Sequence, residues 1–160
     1  HFDQFAFDVE KNILRGDGGI DDFGLLGDEV YVNMLADLDS NNEPQTQPYI
    51  DLIDGVSYYI ATNGEKTLFG GIRLMLTFFV YSEYLKSLRI NKFQSNATHM
   101  TYENAEVAKM KDVNYEAHKR WNKGVEMYNG EVYDYLIYSQ SSFTNWNFTR
   151  QSRYIIHGIR

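Results

Sequence analysis

Histidines and carboxylates are the groups that could carry chemistry here, because the chain has no cysteine; disulfides, thiolate metal sites and cysteine nucleophiles are excluded together. The four histidines, His1, His99, His118 and His157, are scattered, and none has a second histidine at a ligand spacing such as His-x-x-x-His. Each is expected at a surface or an interface. The paired carboxylates Asp21-Asp22 and Glu103/Glu106 are ordinary in an acidic chain, and acid–base work would need a pocket to hold them. Gly-x-Ser-x-Gly, the hydrolase elbow, does not occur. Gly24 and Gly27 lack the Lys-Ser/Thr pair and the preceding strand of a phosphate loop, so Asp22–Gly27 reads as a packing turn. Asp37, Asp39 and Glu43 lack the Asx-x-Asx-x-Asx-Gly frame and terminal Glu of a calcium loop. No catalytic, cofactor or metal site is expected.

What remains is surface chemistry, concentrated at the C-terminal end. Residues 139–160 are basic and aromatic, with Phe143, Trp146, Phe148, Arg150, Arg153 and Tyr154 and no helical stripe. Such an ending frays unless tethered, and a neighbouring subunit is the natural tether. Aromatics interleaved with arginines could also stack single-stranded nucleic acid. The formal charge of −7 is unfavourable for that, so a protein groove is the preferred destination.

These residues must be positioned by a chain of 160 residues, enough for one domain with a core, 43% hydrophobic and 16% aromatic. Thirteen Tyr and ten Phe against two Pro imply many half-buried rings. The chain opens on His rather than Met, without a signal-peptide pattern, which fits a missing or processed N-terminus.

The strongest local signal is the stretch 49–88. Val56–Thr62 and Glu65–Phe69 flank Asn63-Gly64, and a tight type I′ tip is expected there because both central residues tolerate positive φ. A two-stranded ribbon is marginal alone and must lie on helices or pair with another strand. The following helix, Ile72–Leu88, carries one stripe of Leu74, Phe78, Tyr81, Leu85 and Leu88 and a second of Ile72, Met75 and Phe79, so it is expected to be central. Arg73, Thr77, Glu83 and Lys86 interrupt it too often for a membrane span.

A first helix, Phe2 to Ile13, ends at Gly16; a second starts with Asp28 as N-cap and turns Tyr31, Met34, Leu35 and Leu38 inward. Asp39–Pro48 is an exposed loop, and Tyr49–Ile53 a short helix closed by Gly55. Residues 90–101 read as a long connection or edge strand, and Asn96-Ala97-Thr98 as a chance glycosylation triplet. A last long helix is capped by Thr101, with an inner stripe of Met110, Val113, Ala117, Trp121, Gly124, Val125, Tyr128, Val132, Tyr135 and Leu136. Gly124 and Gly130 within it predict a bend or a close helix contact. Lys109, Lys111, Lys119, Arg120 and Lys123 form its solvated face.

Leu25-Leu26-Gly27-x-x-x-Tyr31-x-x-x-Leu35, Tyr49-x-x-Leu52-Ile53-x-Gly55, the Asn63-Gly64 hairpin and Phe69-Gly70-Gly71-Ile72-x-x-x-Leu76-x-x-Phe79-Val80-x-x-x-Tyr84-Leu85 occur in an order that resembles the head-to-tail connector (adaptor or ring) proteins of tailed bacteriophages. The similarity spans roughly residues 5 to 137 and lies in the pattern as a whole. It implies a mainly α helical bundle with an inserted β-hairpin at 56–69: a body over 1–140 and a partner-docking tail over 141–160. It further implies a closed ring of about twelve copies in the virion neck, made in the host cytoplasm. Such a ring binds the portal protein and an adjacent tail or ring protein and passes double-stranded DNA without reading its sequence, with no cofactor and no membrane. Phe143, Trp146, Phe148, Arg150, Arg153 and Tyr154 would meet the portal or a neighbour, and Asn63-Gly64 would form the hairpin tip. The alternative is a small ligand-binding domain or enzyme with a pocket lined by Tyr58, Tyr81 and Tyr84.

Overall fold

Short helices, a hairpin and two long helices follow one another along the chain. The structure, a computed structural model, describes residues 2–16, 24–60, 62–95, 103–139 and 142–143. The elements are α1 (Phe2–Leu14), α2 (Gly27–Ala36), α3 (Gln47–Asp54), β1 (Val56–Tyr59), β2 (Lys66–Phe69), α4 (Arg73–Ser95), α5 (Glu103–Met127) and α6 (Tyr133–Tyr138). A π-helical turn, Tyr128–Val132, joins α5 to α6 without a break in helical dihedrals. The fold is mainly α with a two-stranded antiparallel sheet. Among the described residues no helix is long and apolar enough to cross a membrane.

The pair α4 and α5 makes the most extensive packing in the molecule. Its seam includes Phe79 and Trp121, edge to face at 4.8 Å between ring centroids, and a buried hydrogen bond from Ser82 Oγ to the Ala117 carbonyl at 2.7 Å. Burying each such large apolar side chain contributes about 1.5–3 kcal/mol. Of the expected inner stripe of the last helix, Ala117, Gly124, Val125, Tyr128, Val132, Tyr135 and Leu136 are buried, while Val113 and Trp121 are half-buried. Of the bend or close contact expected near its glycines, the close contact is present. Phe79 lies directly on Gly124, and Gly130 sits inside the π turn.

The core continues through Ile13 and Leu14 of α1, Leu25 and Leu26, and Val30, Tyr31 and Met34 of α2. The Leu25 and Leu26 amides donate to the Ile13 and Leu14 carbonyls, both at 2.8 Å. This close approach requires Gly24, since a Cβ there would lie 2.5 Å from the Arg15 carbonyl oxygen. The stretch is therefore a packing turn, as its sequence implies.

Several expectations change. Asp28 is not the N-cap of α2; that position is Leu26, and Asp28 stands in the first turn, where its carboxylate pairs with Arg15. Leu35 is exposed, so α2 buries Val30 in its place. On α4 the stripe of Leu74, Tyr81 and Leu88 faces outward, and the buried face is Ile72, Met75, Leu76, Phe79, Val80 and Ser82. The helix does not stop near Leu88. It runs to Ser95, because no Gly or Pro interrupts the run and each further residue adds one backbone bond to an established helix. Residues 90–95 are thus helix, not connection or edge strand, while Thr101 and the Asn96-Ala97-Thr98 triplet lie outside the described residues.

The Asn63-Gly64 tip is also wider than a two-residue turn. The register pairs Val56 with Phe69 and Tyr59 with Lys66, and the Ile60 amide still donates to the Glu65 carbonyl at 2.9 Å. Gly64 has φ of +68°, but Asn63 lacks the positive φ that a type I′ turn demands. Its side chain accepts from the Glu65 amide at 3.0 Å instead, a local bond that favours a looser loop. The register differs by two residues from that of a tight tip, so every side chain keeps its face.

The 37–46 loop is tightly organised. Asp39 Oδ1 accepts from the amides of Asn41 and Glu43, and Asp37 Oδ2 from those of Gln45 and Thr46. These backbone donors, Thr46 first, hold the Asp37 carboxyl below its ordinary value. The carboxylates are spent on backbone amides, which gives them a structural role. Pro48 belongs to the first turn of α3, where its missing N–H is harmless.

Candidate functional site

The hairpin alternates strictly. Val56, Tyr58, Thr67 and Phe69 face the helices, and Ser57, Tyr59, Lys66 and Leu68 face out. Its inner face lies on α6 through rings. Phe69 stacks on Tyr135 at 4.4 Å with a 12° interplanar angle, and Tyr58 meets Tyr135 at 5.8 Å and Tyr138 at 4.5 Å. Burial, and after it the Asp134 carboxylate, raises the Tyr58 phenol above its ordinary value.

Between the hairpin and the π turn lies a groove of about 370 Å³. Its hairpin wall is Tyr58, Ile60, Thr67 and Leu68; its helical wall is Gly130, Glu131, Asp134, Ile137 and Tyr138. The π turn adds a residue to one helical turn, a departure that recurs at functional sites. Here Tyr128 and Val132 stay inside while Glu131 and Asp134, three residues apart on one helical face, stay at the surface. Leu68 is 74% exposed, and Ile137 and Tyr138 are about half exposed. The lining therefore offers phenol faces, apolar walls and negative charge, and among the described residues it includes no Lys, Arg or His.

A second apolar surface is the outer stripe of α4, Leu74, Tyr81 and Leu88. The Arg120 guanidinium lies over Tyr81 at 5.7 Å from the ring centroid, while Lys86 covers Trp121 at 4.8 Å. Lys119 and Lys123 of α5 are exposed beside Glu116 and Glu126, which agrees with a solvated face, whereas Arg120 is half-buried over Tyr81.

The residues singled out from the sequence are dispersed. Tyr58 lines the groove, but Tyr84 meets Phe5 on the α1 side and Tyr81 faces outward beneath Arg120, so these three tyrosines do not form one pocket. Phe143 is 2% exposed and packs edge to face on Tyr49 at 5.9 Å, which places it in the core and out of a partner's reach. Trp146, Phe148, Arg150, Arg153 and Tyr154 lie outside the described residues. Asn63 and Gly64 stand exposed at the end of the hairpin. Among the described residues no three His, Asp or Glu side chains are grouped to hold a metal, and His118 has its pKa lowered, by burial first and by Lys86 second.

The groove itself is absent from the sequence reading because its walls are about seventy residues apart along the chain; Gly130 inside a helical stripe is the signal that lay nearest to it. No protein-family model, curated protein or solved structure matches the chain.

Proposed function

We propose that the chain is a structural subunit that assembles head to tail into a closed ring, as the head-to-tail connector of a tailed phage virion. The observation that carries this reading is the presence of two separate apolar surfaces, the hairpin–α6 groove and the outer stripe of α4. Two different patches on one body are what a heterologous, ring-closing contact needs, whereas a two-fold dimer uses one patch twice. The resemblance in motif order adds the portal and an adjacent tail or ring protein as partners, with about twelve copies around the DNA path. A formal charge of −7 suits a lumen that DNA slides through, since like charge disfavours adhesion.

The rival reading, a small ligand-binding domain or enzyme, has one observation in its favour: a groove volume within the range of small-molecule sites. The exposure of Leu68 weighs against it, because such a site encloses most of its ligand. Negative-stain imaging of the purified chain, alone and mixed with portal rings, separates the two. Closed rings or rings seated on portals are expected; a single copy under both conditions overturns the connector reading.

A further inference from the structure

We propose that Asn63, at the hairpin tip, is a site of spontaneous deamidation that yields isoaspartate, and that the fold shields the other Asn-Gly step of the chain, Asn129-Gly130, from the same reaction. The two steps share one chemistry. Asparagine is thermolabile, and a following glycine has no side chain to hinder ring closure. At the tip the Gly64 amide nitrogen gives up its proton and attacks Cγ of Asn63. A bond forms between that nitrogen and Cγ, the Cγ–Nδ2 bond breaks, and Nδ2 leaves with the proton as ammonia. Water then opens the cyclic imide. Cleavage at Cγ leaves an ordinary aspartate, and cleavage at the main-chain carbonyl carbon leaves an isoaspartate whose backbone runs through the side chain.

The backbone separates the two steps. Asn63, Gly64 and Glu65 are all exposed. The Asn63 side chain is already folded along the Gly64 peptide: Oδ1 accepts from the Glu65 amide at 3.0 Å, and Nδ2 donates to the Glu65 carboxylate at 3.2 Å. The nucleophile itself is restrained by the bond from the Gly64 amide to the Ile60 carbonyl at 2.8 Å, and an exposed hairpin tip opens at low cost. Asn129, in contrast, is half-buried in the π turn, with α5 before it and α6 after it. Helical dihedrals turn the Gly130 nitrogen away from the Asn129 side-chain carbon, and bringing them together opens a helix whose Tyr128 and Val132 lie in the core. Crowding does not distinguish the steps, since a Cβ on Gly64 or on Gly130 would meet nothing within 4 Å. Conversion at residue 63 sets a second carboxylate beside that of Glu65, and the isoaspartyl form lengthens the main chain between β1 and β2 by one methylene.

The test incubates the full-length chain at mildly alkaline pH in heavy-oxygen water, which labels each carboxylate formed by hydrolysis of the imide. Peptides holding residue 63 and residue 129 are then compared by mass spectrometry, with electron-transfer fragmentation to tell isoaspartate from aspartate. In the folded chain, label is expected at residue 63 about tenfold or more faster than at residue 129, rising with pH and mostly as isoaspartate. In guanidinium chloride the two positions are expected to react at similar rates, because unfolding removes the difference between them. Equal rates in the folded chain overturn the proposal, as does an amide at residue 63 that persists there while the denatured chain loses it. A ratio unchanged by guanidinium chloride overturns it too, since the fold would then not set the difference.

Discussion

Phe79 of α4 presses the far end of its ring on Gly124 of α5, so close that a Cβ on Gly124 would stand 2.8 Å from the ring's Cζ. The two longest helices meet there through a ring on one side and bare backbone on the other. Phe79 is fully buried and is also held by Trp121, so the ring has no room to retreat.

Gly124→Ala is therefore expected to destabilise the fold by about 1–3 kcal/mol through overpacking, despite the better helix propensity of alanine. Gly130→Ala is the control. A Cβ there meets nothing within 4 Å, so the change is expected to be neutral or to stabilise by up to about 1 kcal/mol. Urea unfolding of both variants checks the pair; equal midpoints would remove the contact from the account.

A second prediction concerns the base of the hairpin. Gly55 and Gly71 have φ of +96° and +81°, and each approaches the backbone around the other; a Cβ on Gly71 would lie 2.3 Å from the Ile53 carbonyl oxygen. The Ile72 amide, bonded to the Leu52 carbonyl at 3.0 Å, fastens the same crossing. Alanine at either position combines an unfavourable dihedral with a backbone clash, and a loss of about 2 kcal/mol or more is expected. Hydrogen exchange should quicken first at the amides of β1 and β2, which this crossing holds on α6.

Much of this was legible in the sequence because it depends on local periodicity. The inner stripe of α5 and α6 spans many turns, and one face is apolar throughout. On α4 apolar residues surround most of the helix, so spacing alone does not decide whether Leu74 and Tyr81 or Met75 and Val80 face the core; α5 decides it. Phe143 resembled its neighbours Trp146 and Phe148 because an aromatic in a polar run carries no mark of its destination. Tyr49 supplies that destination only once α3 is folded. The groove has the same cause, as its two walls meet through ring contacts at Tyr135 and Tyr138 and share no sequence period.

The buried bond from Ser82 to the Ala117 carbonyl gives a third prediction. Ser82 is fully buried, and its hydroxyl donates from α4 across the seam to the Ala117 carbonyl of α5. Ser82→Ala leaves that carbonyl without its side-chain donor and is expected to cost about 1 kcal/mol. Ser82→Val, which adds volume as well as removing the donor, is expected to cost more. Thermal unfolding of the two variants should rank them in that order.

The last prediction is an alkaline limit set by buried phenols. Tyr128 is fully buried at the start of the π turn, and its hydroxyl has no hydrogen-bond partner among the described residues. Burial first, and Tyr133 second, raises its pKa; burial, and then the Asp51 carboxylate, pushes Tyr135 up to about 12. In the folded state both phenols keep their protons where the unfolded chain, near its ordinary value of about 10, gives them up. Stability from this source is fully present below about pH 10 and is lost as pH rises toward the folded values, because ionisation then favours the unfolded chain. Tyr128→Phe removes the unpaired hydroxyl and one of the two titrations. It is expected to stabilise the protein by about 1 kcal/mol at neutral pH and to flatten the decline above pH 10. Urea midpoints measured from pH 7 to pH 11 check both; a decline as steep as that of the wild type would show that Tyr128 does not set the alkaline limit.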